Sequence, residues 1–304
     1  MKRLCERASC VLLGVSTAIA GPSGSALSAD LFTHRAVYDL ALSGEPSGDF
    51  ETVDGRIVVE MTREACDAYQ LEYRFVARFV GNQELIVVDQ RIELEEALDG
   101  ARLAFSNVST VDGLADQASV GEAVTGEGMT RVAYDKPDDK TVEIPAASFP
   151  IGHTRNLIDA AKQGAFVYEA EIFDGDPEAE RQTRSTSIIS DVSADPGDAG
   201  GAADPGEARA EDGADASPET SGTAPPKPGA AELAGLERWR VSESYYDRDG
   251  TPDGGPDFST SYTLYENGVS DQLTLNFEGY SLTGSMTEFT ALQAPDCGPP
   301  AVEN

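Results

Sequence analysis

A chain of 304 residues in which 40% of the side chains are hydrophobic can bury one large core or two modest ones. Its formal net charge of -32 at pH 7 excludes DNA, RNA and anionic lipid headgroups as electrostatic partners, because phosphates are repelled at every approach. Acids number 54 against 22 bases, and lysine is confined to Lys2, Lys136, Lys140, Lys162 and Lys227, a composition that a high-salt environment favours; stabilisation by salt is the expectation.

Residues 1–29 read as a cleaved signal peptide. Met1-Lys2-Arg3 with Arg7 is a charged opening, and residues 8–20 form a short apolar run. That run is too short for a bilayer span, which needs about 20 residues. Cleavage after Ala20 or after Ala29 fits the small-residue pattern, and either removes Cys5 and Cys10. With no second hydrophobic stretch, the expected product is soluble. The mature chain then keeps Cys66 and Cys297, near its opposite ends. Oxidising compartments make disulfides persistent, so pairing the two as a structural clasp is the simplest outcome; two free thiols, or one bonded to a partner, stay open as alternatives.

Beyond the signal the apolar periodicity is mostly two. It predicts strands over 35–42, 56–61, 69–80, 85–94, 102–108, 130–134, 166–173 and 183–192, then 238–246, 258–266, 270–277 and 281–289. In the clearest of them Tyr69, Leu71, Tyr73, Phe75, Ala77 and Phe79 share one face. Turn formers such as Asp54-Gly55, Asp99-Gly100 and Glu266-Asn267-Gly268 connect the runs. Such a set implies a large antiparallel sheet that must curl or close to protect its edges. Residues 150–164 break the rhythm: Ile151, Arg155, Leu157, Ile158 and Ala161 recur at helical spacing, and Gly164 can cap the end. Residues 193–233 are dominated by Ala, Gly, Pro, Asp, Glu and Ser and hold no aromatic residue. They read as a disordered acidic insertion within a single domain formed by 30–192 and 234–304.

Enzymatic signatures are thin. The two histidines, His34 and His153, have no cysteine or acid at metal-ligand spacing, and the G-x-S-x-G elbow is absent. Glu93, Glu95 and Glu96 read as a solvated strand end. No catalytic residue and no cofactor is expected. Asp247, Asp249 and Asp253 have the alternating spacing of some calcium loops, but position twelve of an EF-hand would be Phe258, so a polar hairpin turn is the competing reading. The aromatics Tyr69, Tyr73, Phe75, Phe79 and Trp239 are candidate ligand-binding residues, with Tyr245, Tyr246 and Tyr262 among others crowding the last third. Core packing is the bland alternative for each.

The order His34-Arg35-Ala36-Val37-Tyr38-Asp39-Leu40, Gly55-Arg56, Cys66 with Tyr69 and Arg74-Phe75-Val76, Phe149-Pro150 with His153, Tyr245-Tyr246-Asp247, Leu264-Tyr265-Glu266-Asn267-Gly268-Val269-Ser270, then Cys297, resembles the EipB family. That family comprises alphaproteobacterial periplasmic proteins of cell-envelope integrity, and the resemblance covers about residues 31–192 and 237–297. It implies a periplasmic, non-enzymatic protein with a Cys66–Cys297 disulfide. The implied fold is a mainly β, large antiparallel sheet curled into a spiral or open barrel with one or two short helices, similar to LolA, LolB and RseB. The implied function is support of the outer membrane by binding a lipid, lipoprotein or protein component on a concave sheet face. The alternative is an interaction scaffold that docks tetratricopeptide-type partners without any internal ligand, and a hydrolase of envelope polymers is a third possibility. The acidic insertion and the overall charge depart from the family pattern.

Overall fold

A computed structural model of the chain describes residues 30–44, 50–63, 66–81, 84–192, 226–247 and 255–297. The predicted signal peptide and residues 193–225 of the predicted insertion lie outside them. In chain order the strands are β1 (His34–Leu42), β2 (Phe50–Thr62), β3 (Ala68–Gly81), β4 (Leu85–Ala97), β5 (Arg102–Val111), β6 (Leu114–Gly126), β7 (Met129–Lys136) and β8 (Lys140–Pro145). Helix α1 (Pro150–Lys162) follows, then β9 (Val167–Ile172), β10 (Thr183–Asp191), the single turn α2 (Ala230–Leu233), β11 (Arg238–Asp247), β12 (Phe258–Tyr265), β13 (Ser270–Phe277) and β14 (Tyr280–Ala291). The disorder expected as far as residue 233 is corrected at that end, because Leu233 of α2 is buried in the core beside β1, β3 and β14.

Among the described residues all fourteen strands belong to one sheet, ordered β8-β7-β6-β5-β4-β3-β2-β1-β14-β13-β12-β11-β10-β9. Two antiparallel meanders, β1 to β8 and β9 to β14, meet where β1 pairs with β14 over His34↔Ala291 to Leu42↔Leu282. The antiparallel sheet with two short helices agrees with the sequence. The expected curling into a spiral or open barrel is overturned by the strand order, which is linear and ends in two separate edges, β8 and β9, with no ladder between them. Only an isolated bridge, Ser148↔Ile172, links the β8–α1 connection to β9.

Period-two patterning explains which face is buried. Odd positions of β3 face inward, so Phe75 and Phe79 join Tyr38, Leu40, Ile57 and Leu282 in one core. A second core forms where Ile151, Leu157, Ile158 and Ala161 of α1 press on Tyr69, Trp239, Val241 and Leu264. A third gathers Leu103, Phe105, Val132, Tyr134 and Ile144 under Phe149 and Phe173. Each such side chain contributes about 1.5–3 kcal/mol when fully buried, which is what fixes α1 on this face. On the opposite face arginines pair across strands: Arg56 with Asp39 at 2.7 Å, Arg78 with Asp54 at 2.9 Å and Arg74 with Asp89 at 2.8 Å. These exposed pairs add at most about 1 kcal/mol each.

The period-two reading misses β6 and β8. β6 holds three Ala, two Gly and no aromatic residue, so its alternation is weak, and β8 has six residues. Gly121 shows why small residues are needed there: a Cβ at this position would sit 2.2 Å from the Ala133 carbonyl oxygen and 2.9 Å from the Phe105 ring. It lies beside the register shift between β6 and β7, so the close approach of the two strands depends on it.

Candidate functional site

Helix α1 begins at Pro150, whose fixed φ suits the first helical position, and Gly164 at φ 78° ends it. Its start is held by Glu96 of β4. The Glu96 carboxylate accepts hydrogen bonds from the backbone N–H of Ile151 at 2.8 Å and of Gly152 at 2.6 Å, satisfying two of the donors that a helix N-terminus leaves open. Gly152 lets the carboxylate come this close, because a Cβ there would lie 2.9 Å from Oε1. One turn on, Arg155 Nη1 donates to the Leu98 carbonyl at 2.7 Å. Glu96 is therefore not the solvated strand end expected from sequence; it is 1% exposed. The alternation Leu94-Glu95-Glu96 carries the signal, since Glu96 shares the inward face of Leu94.

Burial pushes the Glu96 carboxyl up to about 7, with the two backbone N–H groups and Arg155 pulling the other way. A folded-state value above the ordinary 4.5 means that the folded protein holds the proton more tightly. The associated stability is complete below pH 4.5 and is lost as pH rises through about 7. At about 1.4 kcal/mol per pH unit between 4.5 and about 7 this amounts to no more than about 3.5 kcal/mol. Chemical-denaturation midpoints measured from pH 4.5 to 8 are expected to fall across that window in the native protein and to lose this slope in Glu96→Gln.

Immediately after Gly152, His153 points from α1 to the sheet. The inward positions of β11 run Trp239, Val241, Glu243 and Tyr245, so the alternation that buries a tryptophan and a valine also buries an acid. Glu243 is 1% exposed and must be partnered to be tolerated. His153 Nε2 lies 2.6 Å from its Oε1, Ser185 Oγ of β10 donates to the same oxygen, and Tyr262 of β12 donates to Oε2 at 2.9 Å. Burial alone would raise the Glu243 carboxyl, but the hydrogen bonds from His153, Ser185 and Tyr262 outweigh it and hold the group at about 2. Burial and the neighbouring Glu243 carboxylate push the Tyr245 and Tyr262 phenols well up.

Ser, His and an acid thus meet, but not as a hydrolytic triad. In a triad the imidazole stands between the hydroxyl and the acid and takes the hydroxyl proton. Here Ser185 and His153 both bond to the same carboxylate oxygen, so the hydroxyl proton goes to Glu243 and the imidazole has no nucleophile to activate.

His153, Glu243 and Tyr262 of this cluster line a cavity of about 650 Å³. Pro150 and Thr154 of α1, Phe173, Tyr245, Phe258 and Tyr262 supply its walls, and Asp174, Asp176, Glu178, Asp247 and Asp257 its rim. A second cavity of about 240 Å³ lies among Leu31, Phe32, Met61, Leu71, Tyr73 and Leu264. Thr154 and Tyr262 line both, so the two spaces share a wall.

The residues proposed from sequence lie mainly elsewhere. Phe75 and Phe79 are packed in the first core and Tyr69 and Trp239 in the second; Tyr73 lines the smaller of the two cavities. Tyr69 donates to Asp30 and accepts from the Leu31 N–H at 2.9 Å, anchoring the first described residues. Of the calcium candidates, Asp249 and Asp253 lie outside the described residues, and Asp247 closes β11, its backbone N–H bonded to Asp257 at 2.8 Å. Among the described residues no group of three or more His, Cys, Asp or Glu is placed to hold a metal ion. Cys66 and Cys297 are joined in a disulfide with Cα atoms 5.5 Å apart, between the β2–β3 turn and the segment after β14.

The EipB-like family model matches residues 25–213 and 212–293. The chain belongs to the EipB-like family. It is 28% identical over 289 residues to the cell envelope integrity protein EipB of Brucella abortus (strain 2308), covering 94% of this chain and 93% of that protein. The fold is similar to the crystal structure of a β-barrel-like protein of a domain of unknown function from Brucella abortus, with a TM-score of 0.69 and 25% identity over 88% of this chain and 100% of that one. The barrel-like description belongs to that protein; the strand order here is open. Family membership agrees with the resemblance read from the ordered motifs. The role of His153 as the partner of a buried acid is one that no sequence motif announces.

Proposed function

We propose that this EipB-like chain is a non-enzymatic periplasmic protein that supports cell-envelope integrity, and that it does so by holding a lipid or lipoprotein component in the two adjoining cavities beneath α1. The envelope role is supported by its similarity to EipB of Brucella abortus. No helix among the described residues is long and apolar enough to cross a membrane. The observation that carries the ligand is the shared wall of Thr154 and Tyr262 between a large cavity with an aromatic and polar lining and a smaller apolar one. Together they suit a molecule with a polar head and an apolar portion.

The test is native mass spectrometry of protein recovered from the periplasm under non-reducing conditions, followed by solvent extraction. A co-purifying acyl species, lost when Thr154→Trp fills the shared wall, is the expected result. Protein that carries nothing, and that takes up no acyl probe after delipidation, would remove the cavity ligand and leave a scaffold that works through its exterior.

A further inference from the structure

We propose that the free edge of β9 receives an extended segment of a partner protein as an added strand, with an apolar side chain beside Val167 and a lysine or arginine beside Glu169. Ser148 occupies only the far end of that edge: its N–H donates to the Glu171 carbonyl at 2.8 Å, and its carbonyl accepts from the Phe173 N–H at 3.0 Å. Backbone groups alternate in direction along a strand, so the N–H and C=O of Val167 and Glu169 face the same open side. Toward β10, Phe166 accepts from the Ile189 N–H at 2.9 Å, which fits that alternation. Among the described residues nothing bonds the edge-facing groups of Val167 and Glu169. A row of unpaired donors and acceptors is complementary to one kind of occupant, another extended chain.

The two edges of the sheet are built differently. β8 carries Lys140, ion-paired with Glu180 at 3.6 Å, and ends in Pro145, whose carbonyl accepts from Gln182 Nε2 at 2.8 Å. The turn Ala179–Arg181 packs on it. Lysine, proline and a covering turn are the devices that keep foreign strands from adding. β9 has neither lysine nor proline, and apolar surface stands at its open end instead: Phe166 is 65% exposed, Val167 48% and its cross-strand neighbour Ile188 38%. These are three of the eight large apolar side chains exposed among the described residues, and such clustering marks an interaction surface. Glu169 is exposed on the same face as Val167, so the complementary segment alternates an apolar residue with a basic one. A second copy of this chain brings its own formal charge of -32 and is repelled, which assigns the segment to a different, basic protein.

The experiment titrates the intact protein with a short fluorescent peptide in which threonine alternates with valine and lysine. Its controls are the same peptide with glutamate for lysine and the same peptide N-methylated at alternate residues, which cannot donate along one edge. Proline is tolerated where a strand's N–H faces outward, so Glu169→Pro removes only an N–H that the fold leaves unused, and a thermal melt checks that it folds. The lysine peptide is expected to bind the native protein about tenfold or more tighter than it binds Glu169→Pro, and tighter than the N-methylated peptide by a similar factor, as lost hydrogen bonds predict. Glu169→Gln, which removes the charge alone, is expected to weaken it about threefold. Exchange of the Val167 and Glu169 amide hydrogens is expected to slow in the complex. Equal binding of the N-methylated peptide, or of the lysine peptide to Glu169→Pro, would overturn strand addition and leave only attraction to an acidic surface. No binding of the lysine peptide, or exchange slowed at β8 in place of β9, would overturn the site. A native dimer that dissociates in Glu169→Pro would overturn the foreign partner and give the edge to a second copy.

Discussion

Changing Cys66 and Cys297 together to serine is expected to lower the unfolding free energy by up to about 5 kcal/mol, the loop entropy that a cross-link over 231 residues removes from the unfolded chain. Native stabilities fall in a range of about 5–15 kcal/mol, so the loss is comparable with the whole. Its site magnifies the effect. The bond ties the turn between β2 and β3, in the first meander, to the tail of β14, in the second, and so crosses the line where the two meanders meet. Around it Arg63 donates to the Cys66 carbonyl at 2.7 Å and pairs with Asp30 at 3.2 Å, fixing the same corner from the other side. Denaturant midpoints in oxidised and reduced protein, beside the double serine variant, measure the contribution. Coincident midpoints would show that the clasp adds nothing to stability.

Glu243→Gln is expected to cost about 3 kcal/mol, the upper range for disrupting a buried carboxylate that three donors share. The amide cannot accept at both positions, so a donor from His153, Ser185 or Tyr262 loses its partner inside the protein. The pH dependence identifies the cause. Glu243 is held at about 2 in the fold against an ordinary 4.5, so its contribution is complete above pH 4.5 and is lost as pH falls through about 2. The gap between native and Glu243→Gln midpoints is thus expected to be widest near neutral pH and to close in strong acid. A gap independent of pH would point to packing. The sign is opposite to that of Glu96, whose contribution fades as pH rises.

The fold was legible where burial follows local periodicity. In β3 the odd positions from Tyr69 to Phe79 all face inward or partly so, and α1 occupies Pro150–Lys162 where helical spacing ran over 150–164. β6 was illegible because close strand approach requires Gly121, and the alanines around it carry little alternation. The functional site was less legible for a different reason. His153 and Glu243 lie 90 positions apart and meet only because α1 is laid across β10 to β12. Parity along β11 does put Glu243 on the face of Trp239 and Val241, and parity along β4 puts Glu96 on the face of Leu94. An acid on an inward parity is a signal open to anyone reading the chain. The aromatic stripe that attracted attention instead packs into cores, as large apolar side chains on an inward face usually do.

The pairing of β1 with β14 also sets an order of events. A chain leaves the ribosome from its N-terminus, so β1 to β8 are made first and β1 waits, one edge bare, for a strand that ends at Ala291. An unpaired edge of nine residues is a template for any passing strand. Its rightful partner comes from almost the far end of the molecule. The middle of the finished sheet is therefore the last part to be built, and a chain cut short before β14 lacks the element that joins its two halves.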